Sequence, residues 1–207
     1  MTKVLIVDDS RVSREAFERT LSADPGYLVV AAIENAANAE IACMSNQIDL
    51  ILMDVCTADD ESGIRAAGKI KKNYPNTKVI VMTSMPEYSF IQKAKDSGSD
   101  SFWYKEIEEQ PLLNVMDRTM AGEQVYPDSP PSVKLGLADS SEFTDRELEV
   151  LRILTTGCPD QEIAARLNIS FSTVRTHINH MLDKTGFETR TELAIHARLS
   201  GIVIPDI

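Results

Sequence analysis

Residues 1 to 121 alternate short apolar runs with longer segments of helical period, and no other feature narrows the possible folds of this chain as much. Strands separated each time by a helix cannot close hairpins, so they pair in parallel, with the helices covering the faces of the sheet. The runs KVLIV (3 to 7), YLVVAAI (27 to 33), DLILMD (49 to 54), KVIVM (78 to 82) and SFWY (101 to 104) predict five strands. Helices are predicted between them at roughly 11 to 22, 35 to 46, 63 to 73 and 87 to 97, with a last one near 109 to 121. Breakers stand where such a succession needs them, at Pro25-Gly26, Pro75-Asn76 and Gly98.

The texture then changes. Residues 122 to 142, GEQVYPDSPPSVKLGLADSSE, hold three prolines and many small or polar residues without sustained period, as expected of a linker. From 143 to 207 every segment reads as helical, and each opens on a Ser, Thr or Asp available as N-cap. Thr144 with Glu147 three residues later forms a capping box. The chain thus divides into an α/β domain (1 to 121), a linker (122 to 142) and an all-α domain of four helices (143 to 207), with no repeat pointing to a solenoid.

With 207 residues, 43% of them hydrophobic, there is enough apolar material for two cores. No apolar stretch reaches the roughly 18 to 20 residues of a membrane span, and the start, MTKVLIVDDS, runs into acids rather than a cleavage site, so a cytoplasmic protein is expected. Cys43, Cys56 and Cys158 form no CxxC pair, which gives neither a disulfide framework nor a zinc site any support. The net charge of −11 argues against indiscriminate coating of nucleic acid. Most of the acid precedes residue 141: 14 Lys and Arg stand against 22 Asp and Glu there (−8), and 7 against 10 after it (−3).

Ligands of open parallel sheets gather beyond the carboxyl ends of the strands, and polar residues stand there in this chain. The first strand runs into Asp8-Asp9, the third ends in Asp54, the fourth runs into Thr83-Ser84 and the fifth into Lys105. A strand-terminal Asp can be a helix cap, a metal ligand or a nucleophile, and one alone does not decide. Three carboxylates within about 5 Å would repel by roughly 3 kcal/mol per pair at an effective dielectric near 20, so positive charge is required. Magnesium suits acids and carbonyls without histidine. Together with Lys105 it would let Asp54 attack a phosphoryl group and carry an aspartyl-phosphate.

The run "VLIVDDS", the run "LILMD", "VIVMTS" and an aromatic strand ending in lysine resemble, in order and spacing, the receiver domain of bacterial two-component response regulators over about 120 residues. The resemblance implies a flavodoxin-like, doubly wound sheet of order 2-1-3-4-5. It also implies Asp54 as phosphoacceptor, Mg2+ held by Asp8, Asp9, Asp54 and the backbone carbonyl of Cys56, Thr83 as switch hydroxyl and Lys105 as partner of the phosphoryl group. The switch aromatic, three residues before the lysine, is Phe102. Two departures bear on the acceptor loop: Val55-Cys56-Thr57-Ala58 replaces the usual Met-Pro start and reaches Gly63 one residue late, and Glu106 follows Lys105.

In the last third, DQEIAARLNIS and STVRTHINHMLDK are amphipathic helices separated by a short turn. The polar face of the second shows Thr173, Arg175, Thr176, His177, Asn179, His180 and Lys184. Its side chains suit base edges and phosphates, and a helix fits a major groove. FTDRELEVLRILTTG, EIAARLNIS and TVRTHINHMLDK closely resemble the LuxR/NarL type helix-turn-helix domain over some 60 residues. The resemblance implies Arg175, Thr176 and Asn179 facing the groove, with Thr173, His177 and Lys184 contacting the DNA backbone or supporting helix ends. It also implies dimerisation through the last helix, where Leu193, Ala194, Ala197 and Leu199 are apolar. A DNA-binding transcriptional regulator is expected, not an enzyme beyond turnover of its own phosphoryl group, with a sensor histidine kinase, operator DNA and a second copy as partners and no membrane. Two rivals remain: an atypical regulator whose receiver dimerises or senses a ligand without phosphate, and a magnesium-dependent phosphatase, which Cys56 disfavours where such enzymes carry a second acid.

Overall fold

The computed structural model describes residues 1–60, 62–105 and 111–204. They form two compact units, one built from residues 1–84 and 89–129, the other chiefly from residue 130 onward. The first is a five-stranded parallel sheet of order β2-β1-β3-β4-β5, with β1 at Thr2–Val7, β2 at Tyr27–Ile33, β3 at Leu50–Asp54, β4 at Lys78–Thr83 and β5 at Ser101–Tyr104. Its helices are α1 (Arg11–Ser22), α2 (Ala39–Ser45), α3 (Gly63–Asn73), α4 (Phe90–Asp96) and α5 (Leu112–Met120).

Continuous apolar runs make β1, β3 and β4 buried on both faces, as strands between helix layers must be. One face carries Val4, Ile6, Leu50, Leu52, Ile80 and Met82 against Leu21, Trp103 and Val115. Three predicted helices differ at their ends. The segment from 35 opens as a 3-10 turn over Ala36–Asn38, because Asn35 caps it by accepting from the Ala37 amide, and only then becomes α2. The fourth helix is shortened to Phe90–Asp96, and the fifth begins after Pro111; residues 109 and 110 of its predicted span lie outside the described residues.

Parts of the stretch expected as a linker are built into structure. Val125 is 3% exposed, its carbonyl accepts from the Phe102 amide (2.8 Å) and its amide donates to Ser101 Oγ (3.0 Å). Further on, Lys134–Leu135 (β6) and Ala138–Asp139 (β7) pair as an antiparallel hairpin.

The second unit packs α6 (Asp145–Leu154), α7 (Asp160–Leu167), α8 (Phe171–Thr185) and α9 (Arg190–Ser200) around Leu148, Leu151, Ile163, Val174, Ile178, Met181 and Leu193. The predicted capping box is present: the Glu147 amide donates to Thr144 Oγ1 (3.3 Å) and the Thr144 amide donates to Glu147 (2.8 Å). Between α7 and α8, Asn168 takes a left-handed conformation (φ 52) and Ser170 caps α8, giving a helix-turn-helix. No described helix is long and apolar enough to cross a membrane.

Candidate functional site

The register of the sheet brings the first carboxylates together. In β1 and β3, Val4 pairs with Leu50 and Val7 with Met53, so one further step sets Asp8 opposite Asp54 on neighbouring strands about 4.8 Å apart. Asp8 is fully buried and Asp54 is 6% exposed, while Asp9 lies at the surface. Each of the three offers a carboxylate oxygen within 4.8 Å of the other two. Around an octahedral Mg2+ with bonds of about 2.1 Å, neighbouring oxygens stand about 3 Å apart, so the set would have to close by no more than about 2 Å to share one ion. The hardness of carboxylate oxygen suits that ion as well.

Lys105 follows β5, and its backbone amide bonds to the Thr83 carbonyl (2.9 Å) at the end of β4. Its ammonium donates to Asp8 (2.7 Å) and Asp54 (2.8 Å). Burial alone would depress the Lys105 pKa, but the two carboxylates outweigh it and hold it above the ordinary lysine value. For Asp54, burial pushes the pKa up to about 6, with Lys105 opposing and Asp8 and Asp9 adding to the rise. The site therefore holds a desolvated carboxylate with a cation beside it, a pair chemically able to act as an oxygen nucleophile and its charge partner.

The remaining predicted residues line the same end of the sheet. Thr83 is 2% exposed, one step beyond Met82, the register partner of Asp54. Phe102 is fully buried, edge-on to Tyr104 with ring centroids 5.0 Å apart, and Trp103 faces the opposite side against Phe17. Cys56, two residues past Asp54, is half-buried and bridges to Ser62.

Residues Ala58–Asp60 of the acceptor loop turn with Asp59 left-handed (φ 60). A Cβ on Gly63 would stand 1.7 Å from the Asp54 carbonyl oxygen, and the Gly63 amide donates to the Val55 carbonyl (2.9 Å). The loop is also tied to the β2–α2 connection. Asn35 donates to Asp59 (2.8 Å), the Ala58 amide to the Glu34 carbonyl (3.0 Å) and the Ala36 amide to Thr57 Oγ1 (3.1 Å). Nothing in the sequence of this loop signals these ties to the β2–α2 connection.

In the helical unit, Arg175, Thr176 and Asn179 are exposed along one side of α8, with Thr173 and His177 half-buried at its margin. Phe171, Ser172 and His180 share the exposed surface; Phe171 and Ser172 had not been singled out. Lys184 supports a helix end within its own unit, one of the two roles its position suggested. Its ammonium donates to Glu147 (2.7 Å) and to the Glu142 carbonyl (2.8 Å), because the capping carboxylate of α6 is buried and needs a cation. On α9, Leu193 and Ala197 are buried in their own core, whereas Ile195 and Leu199 are exposed.

The family model described as the response regulator receiver domain matches residues 4–117, and that of bacterial regulatory proteins of the luxR family matches residues 141–197. The response regulator protein VraR of Staphylococcus aureus (strain NCTC 8325 / PS 47) is 33% identical over 202 residues, 94% of this chain and 95% of that protein. A LuxR-family two-component response regulator from Aurantimonas sp. SI85-9A1 is similar in structure, with TM-score 0.56 and 25% identity over 60% of this chain and 89% of that one. RcsB from Salmonella enterica serovar Typhimurium, solved bound to the promoter rprA with phosphomimetic BeF3-, shares the fold, with TM-score 0.61 and 22% identity over 97% and 99%.

Proposed function

Because this chain belongs to the DNA-binding response regulators with a receiver domain and a LuxR-type helix-turn-helix domain, we propose that phosphorylation of Asp54 by a sensor histidine kinase controls its binding to operator DNA. The observation that carries this reading is the Lys105 ammonium held between Asp8 and Asp54 at the carboxyl ends of β1 and β3. Asp8, Asp9 and Asp54, with the Cys56 carbonyl, would hold Mg2+, which when bound neutralises charge on the transferred group.

An Asp54 carboxylate oxygen attacks the phosphorus of the phosphohistidine, a new P–O bond forms, and the P–N bond breaks with its electron pair left on the imidazole. Lys105 swings its hydrogen bond from the carboxylate to a phosphoryl oxygen, and the Thr83 hydroxyl donates to another. Phe102, fully buried on β5, repacks as that hydroxyl moves. A bias of a few kcal/mol between two such packings is enough to change the population of a dimer. The exposed Ile195 and Leu199 support α9 as the helix through which two copies pair, and a two-fold pair would present both α8 helices to two half-sites.

Labelling of the full chain by acetyl phosphate with Mg2+ tests the acceptor, with Asp54→Ala beside it. Wild type is expected to form one acid-stable, alkali-labile acyl phosphate that the variant lacks. Equal labelling of the two would remove Asp54 from its role.

A further inference from the structure

Phe171 is the first residue of α8, directly after the Ser170 cap, and it is 44% exposed. Among the exposed large hydrophobic residues described, it alone is aromatic. The other phenylalanines of the helical unit, Phe143 and Phe187, pack against its core. Four residues on, one helical turn away on the same side, the Arg175 guanidinium carbon lies 5.9 Å from the centre of the Phe171 ring.

Arg175 also differs from three other arginines of the helical unit. Arg146, Arg166 and Arg190 each reach a carboxylate, Glu149, Glu162 and Asp160 respectively, whereas no carboxylate of the described residues is paired with Arg175. A ring face attracts the guanidinium without using up its N–H donors, so the planar fork stays available. Thr176, next along the exposed side, already donates its hydroxyl hydrogen to the Ser172 carbonyl (3.0 Å). Arg175 and Asn179 are then two of the outward donors of this surface, beside His180.

We infer that Phe171 is a positioning residue for sequence readout: its ring is the shelf on which Arg175 is held so that the guanidinium meets the N7 and O6 edge of a guanine in the major groove. The role rests on α8 being the groove helix. Guanine is the base that offers two acceptors to an arginine fork, and an arginine already confined to one side of the helix loses less freedom on docking. As the groove excludes water, the ring–cation attraction grows.

The test uses the full chain and a duplex enriched from a randomised pool by wild type, with affinities measured for that duplex and for each single base-pair variant. The guanine read by Arg175 is the one at which Arg175→Ala stops discriminating. Phe171→Ala and Phe171→Leu should each lower discrimination at that base pair about 5-fold, and Phe171→Trp should retain it. The leucine variant keeps apolar bulk without a ring face, which separates the shelf from simple packing. In an Arg175→Ala background, Phe171→Ala should cost nothing further at that position. An equal loss across all base pairs, no loss at all, full retention by Phe171→Leu, or an undiminished effect without Arg175 would each overturn the role. Failure of wild type to enrich any duplex would instead overturn the reading of α8 as the groove helix, and the role of Phe171 with it.

Discussion

Gly63→Ala should unsettle the acceptor strand far more than one methyl group suggests. The new Cβ would stand 1.7 Å from the Asp54 carbonyl oxygen, 2.8 Å from its carbon and 3.1 Å from Met53 Cγ. Carbon and oxygen ordinarily approach to about 3.3 Å, so the start of α3 and the end of β3 must part by about 1.5 Å. Overpacking of that kind costs about 1 to 3 kcal/mol. The parting also stretches the Gly63 amide to Val55 carbonyl bond, worth about 1 kcal/mol. A destabilisation of about 3 kcal/mol follows, or roughly 10 °C in Tm for a unit of this size. Trp103 is the only tryptophan and lies in the first unit's core, so its fluorescence in urea reports that unit alone. Gly68→Ala, on the same helix, provides the contrast: its Cβ would meet Ser97 at 3.7 Å, an ordinary contact, and helix propensity should add up to about 1 kcal/mol. Moving the Asp54 backbone by about 1 Å should also slow acetyl-phosphate labelling by up to about 100-fold. A Gly63→Ala chain as stable as Gly68→Ala, and labelled as fast as wild type, would refute the close approach.

Other perturbations separate structural charges from functional ones. Burial would raise the Asp100 pKa, but hydrogen bonds from Lys71 (2.8 Å), Lys78 (2.9 Å) and the Val79 amide (2.9 Å) outweigh it and hold the carboxyl below its ordinary value. Its contribution is present above the unfolded pKa and lost as pH falls through the folded one. Asp100→Asn should therefore cost about 2 kcal/mol at pH 7 and almost nothing at the lowest pH where wild type still folds, as read from urea midpoints. Lys105→Met removes the cation that opposes the rise at Asp54, whose folded pKa then stands further above its unfolded one, so stability falls as pH rises. A deficit of about 3 kcal/mol at pH 8 should shrink towards pH 5, and millimolar Mg2+ should restore part of it at pH 8. Lys184→Met should lower the melting point of the helical unit by an amount equivalent to about 1 to 2 kcal/mol, followed by circular dichroism, since the buried Glu147 loses its partner. The slope of log affinity for DNA against log salt should stay within experimental error, whereas losing a phosphate contact would reduce it by about 0.9.

Much of the acid site was legible because a parallel sheet with continuous apolar strands has few degrees of freedom. Once Val4, Ile6 and Asp8 share a parity with Leu50, Leu52 and Asp54, register sets the two carboxylates side by side. Lys105 was legible for the same reason, standing just beyond a recognisable strand. What escaped depended on partners distant in sequence or on single backbone angles. Nothing near Lys184 signals that Glu147, 37 residues earlier, needs its ammonium. The left-handed Asp59 could not be foreseen from a motif that merely looked one residue too long. Likewise the proline-rich composition of residues 122–142 gave no sign that Val125 seals into the first core, since one apolar residue has no period.

That seal governs where the chain can be cut. β5 is an outer strand of the sheet, and the Phe102 amide is satisfied there by Val125, with the Tyr126 hydroxyl bonded to the Ser99 carbonyl (2.6 Å) alongside. A fragment stopped after Ala121 would bare those groups and the apolar bed of Val125, a template on which other polypeptides can stack and precipitate. Extending the fragment to Ser129 keeps the selvedge hemmed, and such a piece should stay monodisperse where the shorter one clumps.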